Sequence, residues 1–215
     1  MIQSMLRAIT SRYHLNAITL GEFTHIKVNG AGYQLWAFHA DGLGHVSAIV
    51  GSGIMGLTKT EALVIVPTEK DMPLFSYDRI LTMGSDTMRC NLFDTLLENC
   101  DLSRVEAVCH QNRDLPGLEE AHWFDPLKLP TSFTKRSKRA SGDVLDSCAM
   151  AYLEAFLETA ELAPYCEPNP KKDKTDLYVE GVLTNGHPSI DLFRKHLGPE
   201  KNDILLRSIL FGTVR

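Results

Sequence analysis

Four residues fix the topology of the first half of this chain. A strand-like run, Ala48-Ile49-Val50, leads into Gly51-Ser52-Gly53-Ile54-Met55-Gly56, a literal G-x-G-x-x-G, and only Leu57 to Thr60 precede the next apolar run, Glu61 to Val66. A dinucleotide-binding loop needs a helix opening inside the motif, because the pyrophosphate is held by free N–H groups at the positive end of a helix dipole. It also needs a crossover of roughly a dozen residues to reach a parallel strand. Four residues supply neither. Asp71 stands about 20 positions after Gly51, the spacing of the fingerprint's acidic residue, but it belongs to a Lys-Asp-Met-Pro turn beyond the next strand. The glycines are therefore expected to form a wide hairpin loop, and neither NADH nor NADPH is expected to bind.

The surrounding pattern repeats this logic. Gly21 to Val28 and Tyr33 to His39 alternate apolar and polar residues. Asn29-Gly30 and Asp41-Gly42 are strong hairpin signals. His45 to Val50, Glu61 to Val66, Arg79 to Met83 and Met88 to Phe93 continue an antiparallel meander. Helical spacing marks Ile2 to Tyr13 and, in the second half, Val144 to Leu162, ended by Ala163-Pro164. Shorter helices are expected at Pro188 to Leu197, with Pro188 suited to the first helical position, and at Asn202 to Phe211, separated by Gly198-Pro199. Pro164 to Asp176 (PYCEPNPKKDKTD) reads as a long surface loop. Strands first and helices afterward predict an α+β fold, an α/β/α sandwich with a central antiparallel sheet, over residues 1–215 as one domain.

Composition narrows the function classes. The formal net charge is −5, which argues against nucleic-acid binding by counterion release. No apolar run reaches the length of a membrane span and the N-terminal stretch has no signal-peptide core, so a cytoplasmic protein that does not enter membranes is expected. The five cysteines, Cys90, Cys100, Cys109, Cys148 and Cys166, form no C-x-x-C and suggest neither a disulfide framework nor a thiolate metal site. Cys109-His110 and His122 fit no zinc spacing and read as loop residues. His39 and His45 flank a turn, as surface residues or with His45 toward a ligand pocket. Lys135-Arg136-Ser137-Lys138-Arg139 is either a solvated loop or a docking patch for an anionic ligand or acidic partner.

Walker, zinc-protease, kinase and serine or cysteine nucleophile motifs are absent from the sequence. The most specific segment is Ala62 to Leu96, where a buried-looking strand exits through Pro67, turns at Met72-Pro73-Leu74-Phe75, and re-enters as a strand with Asp78 near its start. An acid entering a sheet beside aromatic residues is placed to donate a proton near neutrality. The bland alternative is a capping or salt-bridged residue, paired with Arg79 or Arg89.

Pro73-Leu74-Phe75-Ser76-Tyr77-Asp78-Arg79-Ile80-Leu81 resembles the P-x-F-x-x-D signature of the ferredoxin-dependent bilin reductases and red chlorophyll catabolite reductase. Asn185-Gly186-His187-Pro188 and the residues to Glu200 are similar to a late family segment. The resemblance implies a linear tetrapyrrole held between sheet and C-terminal helices, one-electron donation by ferredoxin without an organic cofactor or metal, and Asp78 as proton donor. It implies His187 as an alternative donor where the family has a late Asp. Phe75, His45, Arg79 and Arg89 become candidate substrate contacts. So do Lys135, Arg136, Lys138 and Arg139, which pair with bilin propionates or steer an acidic ferredoxin. Two positions depart from the family: Ala62 or a near neighbour stands where some members carry His, and Arg79 replaces an apolar residue. Ala62 and the altered late Asp favour a second reading, a non-catalytic tetrapyrrole carrier on the same fold; an unrelated apolar ligand is a third.

Overall fold

The computed structural model describes residues 1–53, 56–138, 142–187 and 190–213. Helix α1 (Ile2–Thr10) comes first. Strands β1 (Leu15–Ala17), β2 (His25–Val28), β3 (Ala31–Ala40), β4 (Gly44–Ser52), β5 (Lys59–Pro67), β6 (Leu74–Leu81) and β7 (Asp86–Phe93) follow. Then come α2 (Ser103–Gln111), the edge strand β8 (Phe133–Ser137), α3 (Gly142–Leu162), α4 (Pro168–Asn185) and α5 (Asp191–Ile204), the last running into a π-helical turn at Leu205–Leu210. The eight strands form one antiparallel sheet in the order β1-β3-β4-β5-β6-β7-β8, with β2 also paired to β3. The α+β sandwich expected from the sequence is observed.

Each hairpin has a local cause. Asn29 and Gly30 have φ of 49° and 80°, the pair of positive values that a two-residue turn matching strand twist requires. The loop after β4 closes as a wide antiparallel hairpin through Gly53 N–H to the Thr58 carbonyl, 2.8 Å; Ile54 and Met55 lie outside the described residues. Gly51 serves packing rather than phosphate binding. A Cβ there would stand 2.4 Å from the Tyr33 ring, and that ring meets Phe193 edge-on at 4.9 Å.

The period-2 alternation of the strands divides the core into two layers. Val46, Ala48, Leu63, Ile65, Phe75, Tyr77, Met88, Cys90 and Leu92 face α1 and α3. Leu35, Ala37, Ile49, Val66, Leu74 and Phe93 face α4, α5 and the π-helical turn. Among the described residues no helix is long and apolar enough to cross a membrane.

Three expectations are corrected. Pro164 to Asp176 is not a surface loop: from Pro168 onward it is the start of α4, with Lys171 and Thr175 buried. The first part of the basic run is not a loop either, since Lys135 to Ser137 belong to β8, which pairs with β7. The strand carrying Asp78 begins at Leu74, five residues before the expected Arg79, so Asp78 lies in its middle. Gly198, with φ of 79°, breaks α5 where a stop was expected, while Pro188 lies outside the described residues.

Candidate active site

The α4–α5 face of β6 and its neighbours builds a cavity of about 130 Å³. Ser47 and Ile49 from β4, Ala62 and Val64 from β5, and Ser76, Asp78 and Ile80 from β6 form its floor. Tyr178 of α4, His187, Phe193 of α5, Leu210 and Phe211 close it from above. Two ionisable side chains expected from the sequence, Asp78 and His187, line it together. Asp78 is 5% exposed and His187 7%, and Ser76 Oγ donates to Asp78 Oδ2 at 3.2 Å. Across the strand pair Asp78 faces Arg89, whose guanidinium is bonded to Glu120.

His187 is held from several sides. Its backbone N–H donates to Asp191 Oδ1 at 3.0 Å, and its ring stacks on Phe124, centroids 5.0 Å apart. His122 stacks on the same Phe124 at 4.8 Å. Burial lowers the His187 pKa below its ordinary value; Asp78 and Asp191 oppose this, whereas Arg89 and His122 add to it. The imidazole is therefore neutral at pH 7, beside a carboxyl group. A carboxyl group and a neutral imidazole lining one water-poor cavity have the chemical means to exchange a proton, and a negative charge arriving on a ligand would raise the proton affinity there.

The remaining expected contacts fall elsewhere. Phe75 and Arg79 alternate with Asp78 along β6 and so point to the opposite face. Phe75 packs on Phe156 and Tyr152 of α3 at 5.1 and 5.9 Å. Arg79 is tied to Asp86, Asp146 and the Gly142 carbonyl, and the residue also borders the cavity. Lys135 Nζ is spent on the carbonyls of Leu115 (2.9 Å) and Arg113 (3.1 Å), because neighbouring residues of β8 point to opposite faces. Arg136 and Lys138 are exposed, and Arg139 lies outside the described residues. Cys109 and His110 sit on α2.

His45 does not line the Asp78 cavity. Its Nε2–H donates to the Ile209 carbonyl at 2.8 Å, and Ser47 Oγ donates to the Leu210 carbonyl at 2.8 Å, so β4 pins the end of the π-helical turn, where the last carbonyls of a helix lack partners within it. Gly212 packs on the imidazole so closely that a Cβ would lie 2.5 Å from it. Burial pushes His45 down to about 4, with His39 adding to the shift and the Ile209 bond opposing it. Its depressed pKa means that the folded state binds fewer protons than the unfolded state between pH 6.5 and 4, so stability falls as pH falls through that window. The expected loss attributable to His45 is about 3 kcal/mol. Urea titrations at pH 7.5 and pH 4.5 measure it, and His45→Gln should reduce the difference between them.

Sequence reasoning missed Tyr178, Phe124 and His122. Tyr178 is buried, its ring 4.4 Å from Phe93 and 5.7 Å from Phe211, and burial holds its hydroxyl well above the ordinary tyrosine range. The available signal was the stripe Lys171, Thr175, Tyr178, Val179, Val182 at helical spacing.

No protein-family model matches the chain, and no curated protein matches it in sequence. Among solved structures, it is similar to phytochromobilin synthase from tomato, crystallised in complex with biliverdin. The two share 14% sequence identity at a TM-score of 0.81, over 99% of this chain and 82% of that one. What the two proteins are shown to share is the fold.

Proposed function

We propose that this protein binds a linear tetrapyrrole over the Asp78 face of the sheet and reduces it with electrons from ferredoxin or a similar acidic donor. The observation that carries the reading is the buried Asp78–His187 pair, set in one apolar cavity between sheet and C-terminal helices, on a fold similar to a synthase crystallised with biliverdin. Reducing one double bond takes two electrons and two protons. Each electron adds negative charge to a ligand in a low-dielectric space, which makes proton transfer from a neighbouring acid favourable. Asp78 supplies a proton, and His187 takes up and returns one beside it. The choice of carbon follows from which part of the ligand is held against Asp78.

The direct test is an anaerobic absorbance titration with biliverdin, followed by reduced ferredoxin. A bound spectrum that then bleaches or shifts to a reduced bilin is the expected result; a bound spectrum that persists makes the protein a carrier. Arg136 and Lys138, exposed on and beside β8, are the steering cations of this reading. Replacing both by Gln should slow ferredoxin-driven turnover severalfold at low salt and little at high salt, where charges are screened beyond about 10 Å or less. Equal slowing at both salt concentrations would remove the steering role.

A further inference from the structure

A four-ring ligand needs more room than the Asp78 cavity offers. Sites for drug-sized ligands run from about 300 to 1,000 Å³, against about 130 Å³ here. A second cleft, of about 420 Å³, lies on the neighbouring strands and is lined by Asn91, Glu120, Asp125, Lys128 and Ser132 among others. Asn91 of β7 stands directly opposite Ser76 of β6, whose hydroxyl contacts Asp78, so the two spaces adjoin across one strand pair. Phe124 stacks on His187 of the cavity and immediately precedes Asp125 of the cleft.

Several polar groups of the cleft are engaged, and Asn91 is the buried one whose acceptor is not. Glu120 is bonded to Arg89, Lys128 to Asp125, and Ser132 to the backbone of Leu92. Asn91 is 2% exposed, and its carboxamide oxygen has no hydrogen-bond partner in the structure. A buried carboxamide left unpaired costs about 1–3 kcal/mol, so such a group in a folded protein calls for a partner. A primary amide presents one acceptor and two donors. Its complement is another amide in the cis arrangement, offering C=O and N–H side by side. The terminal rings of a linear tetrapyrrole are lactams, which have that arrangement.

We infer that Asn91 is a specificity-determining ligand contact: it pairs with a terminal lactam of the tetrapyrrole in the β7–β8 cleft, and so fixes which end of the ligand reaches Asp78 and His187. The inference rests on the tetrapyrrole reading above. It assigns the cleft a function that the Asp78 cavity does not need for its own chemistry.

The test compares the parent protein with Asn91→Leu, close in size and without polar atoms, and with Asn91→Ser. Each is titrated with biliverdin and with a biliverdin whose terminal lactams are O-methylated to lactim ethers. Asn91→Leu should weaken biliverdin binding by on the order of 10- to 100-fold and bind the lactim ether as the parent does, with a melting temperature equal to or above the parent's. Unchanged biliverdin affinity in a folded Asn91→Leu, with the parent binding well, overturns the role of Asn91 and leaves the tetrapyrrole reading standing. A parent that shows no spectral change with either bilin overturns both. A fall in melting temperature in both variants, with parental affinity in each, identifies Asn91 as a structural residue and overturns the inference.

Discussion

Asp78→Asn is expected to leave biliverdin bound while reducing turnover by on the order of 10²-fold or more, the usual scale for loss of a general acid. The substitution keeps the size of the side chain, and its carbonyl oxygen can still accept from Ser76 Oγ. No buried cation is stranded, because Arg89 is already bonded to Glu120. What disappears is the carboxyl group's capacity to give up a proton, and with it the influence of Asp78 that opposes the lowering of the His187 pKa. Single-turnover reduction, followed by absorbance under anaerobic conditions, separates the chemical step from binding. Accumulation of a one-electron-reduced ligand would locate the block at proton transfer. Full turnover in this variant would remove Asp78 from the mechanism, and loss of folding would make it a structural residue.

The second large effect concerns stability. Lys171→Met is expected to cost about 3–5 kcal/mol, the range seen when one partner of a buried ion pair is removed. Lys171 is fully buried; its Nζ donates to Asp71 Oδ1 at 3.1 Å and to the carbonyls of Met72 and Thr95 at 2.5 and 2.7 Å. Asp71 in turn accepts the amides of Leu97 and Glu98, both at 2.8 Å. Burial works to raise the Asp71 pKa, but these bonds and Lys171 outweigh it and hold the carboxyl below its ordinary value. The stability contributed by Asp71 is thus present above its unfolded pKa and is lost as pH falls through the folded one. Denaturant unfolding at neutral pH measures the cost, and combining Lys171→Met with Asp71→Asn should recover part of it. Since Lys171 anchors the start of α4, the same variant should also loosen Tyr178, two turns further along.

The sheet was readable because its signals are local: Asn29-Gly30, the short span from Gly56 to Glu61, and alternation within each strand. The site was only partly readable, for a related reason. Placing the start of β6 at Arg79 instead of Leu74 concealed the alternation across Pro73 to Leu81, so Phe75, Asp78 and Arg79 were grouped as one site. Period 2 from Leu74 separates Asp78 from both. Lys135 and Arg136, adjacent in sequence, divide between two faces in the same way. Helix α4 was hidden by its composition, because two of its buried positions are Lys171, whose burial depends on Asp71 and on carbonyls distant in sequence, and Thr175, whose hydroxyl bonds back to the Lys171 carbonyl. His122 and Phe124 carry no local pattern; their place follows from Trp123, whose indole N–H donates to the Gly186 carbonyl at 2.7 Å.

The strand order has a consequence for synthesis of the chain. From β3 to β7 every strand pairs with its immediate predecessor in sequence, so this part of the sheet can assemble progressively as the polypeptide emerges. Its cover is acquired in instalments: α1 precedes the sheet, α3 follows β8 onto the same face, and α4 with α5 come only after it. Until then Val66, Leu74 and Phe93 are left facing solvent on a sheet whose Asp78 is already in position. A nascent chain paused before α4 is therefore expected to be a sheet with one sealed face and one adhesive face. Aggregation and chaperone capture during translation should be greatest in that interval, and codon changes that prolong it should lower soluble yield without altering the finished protein.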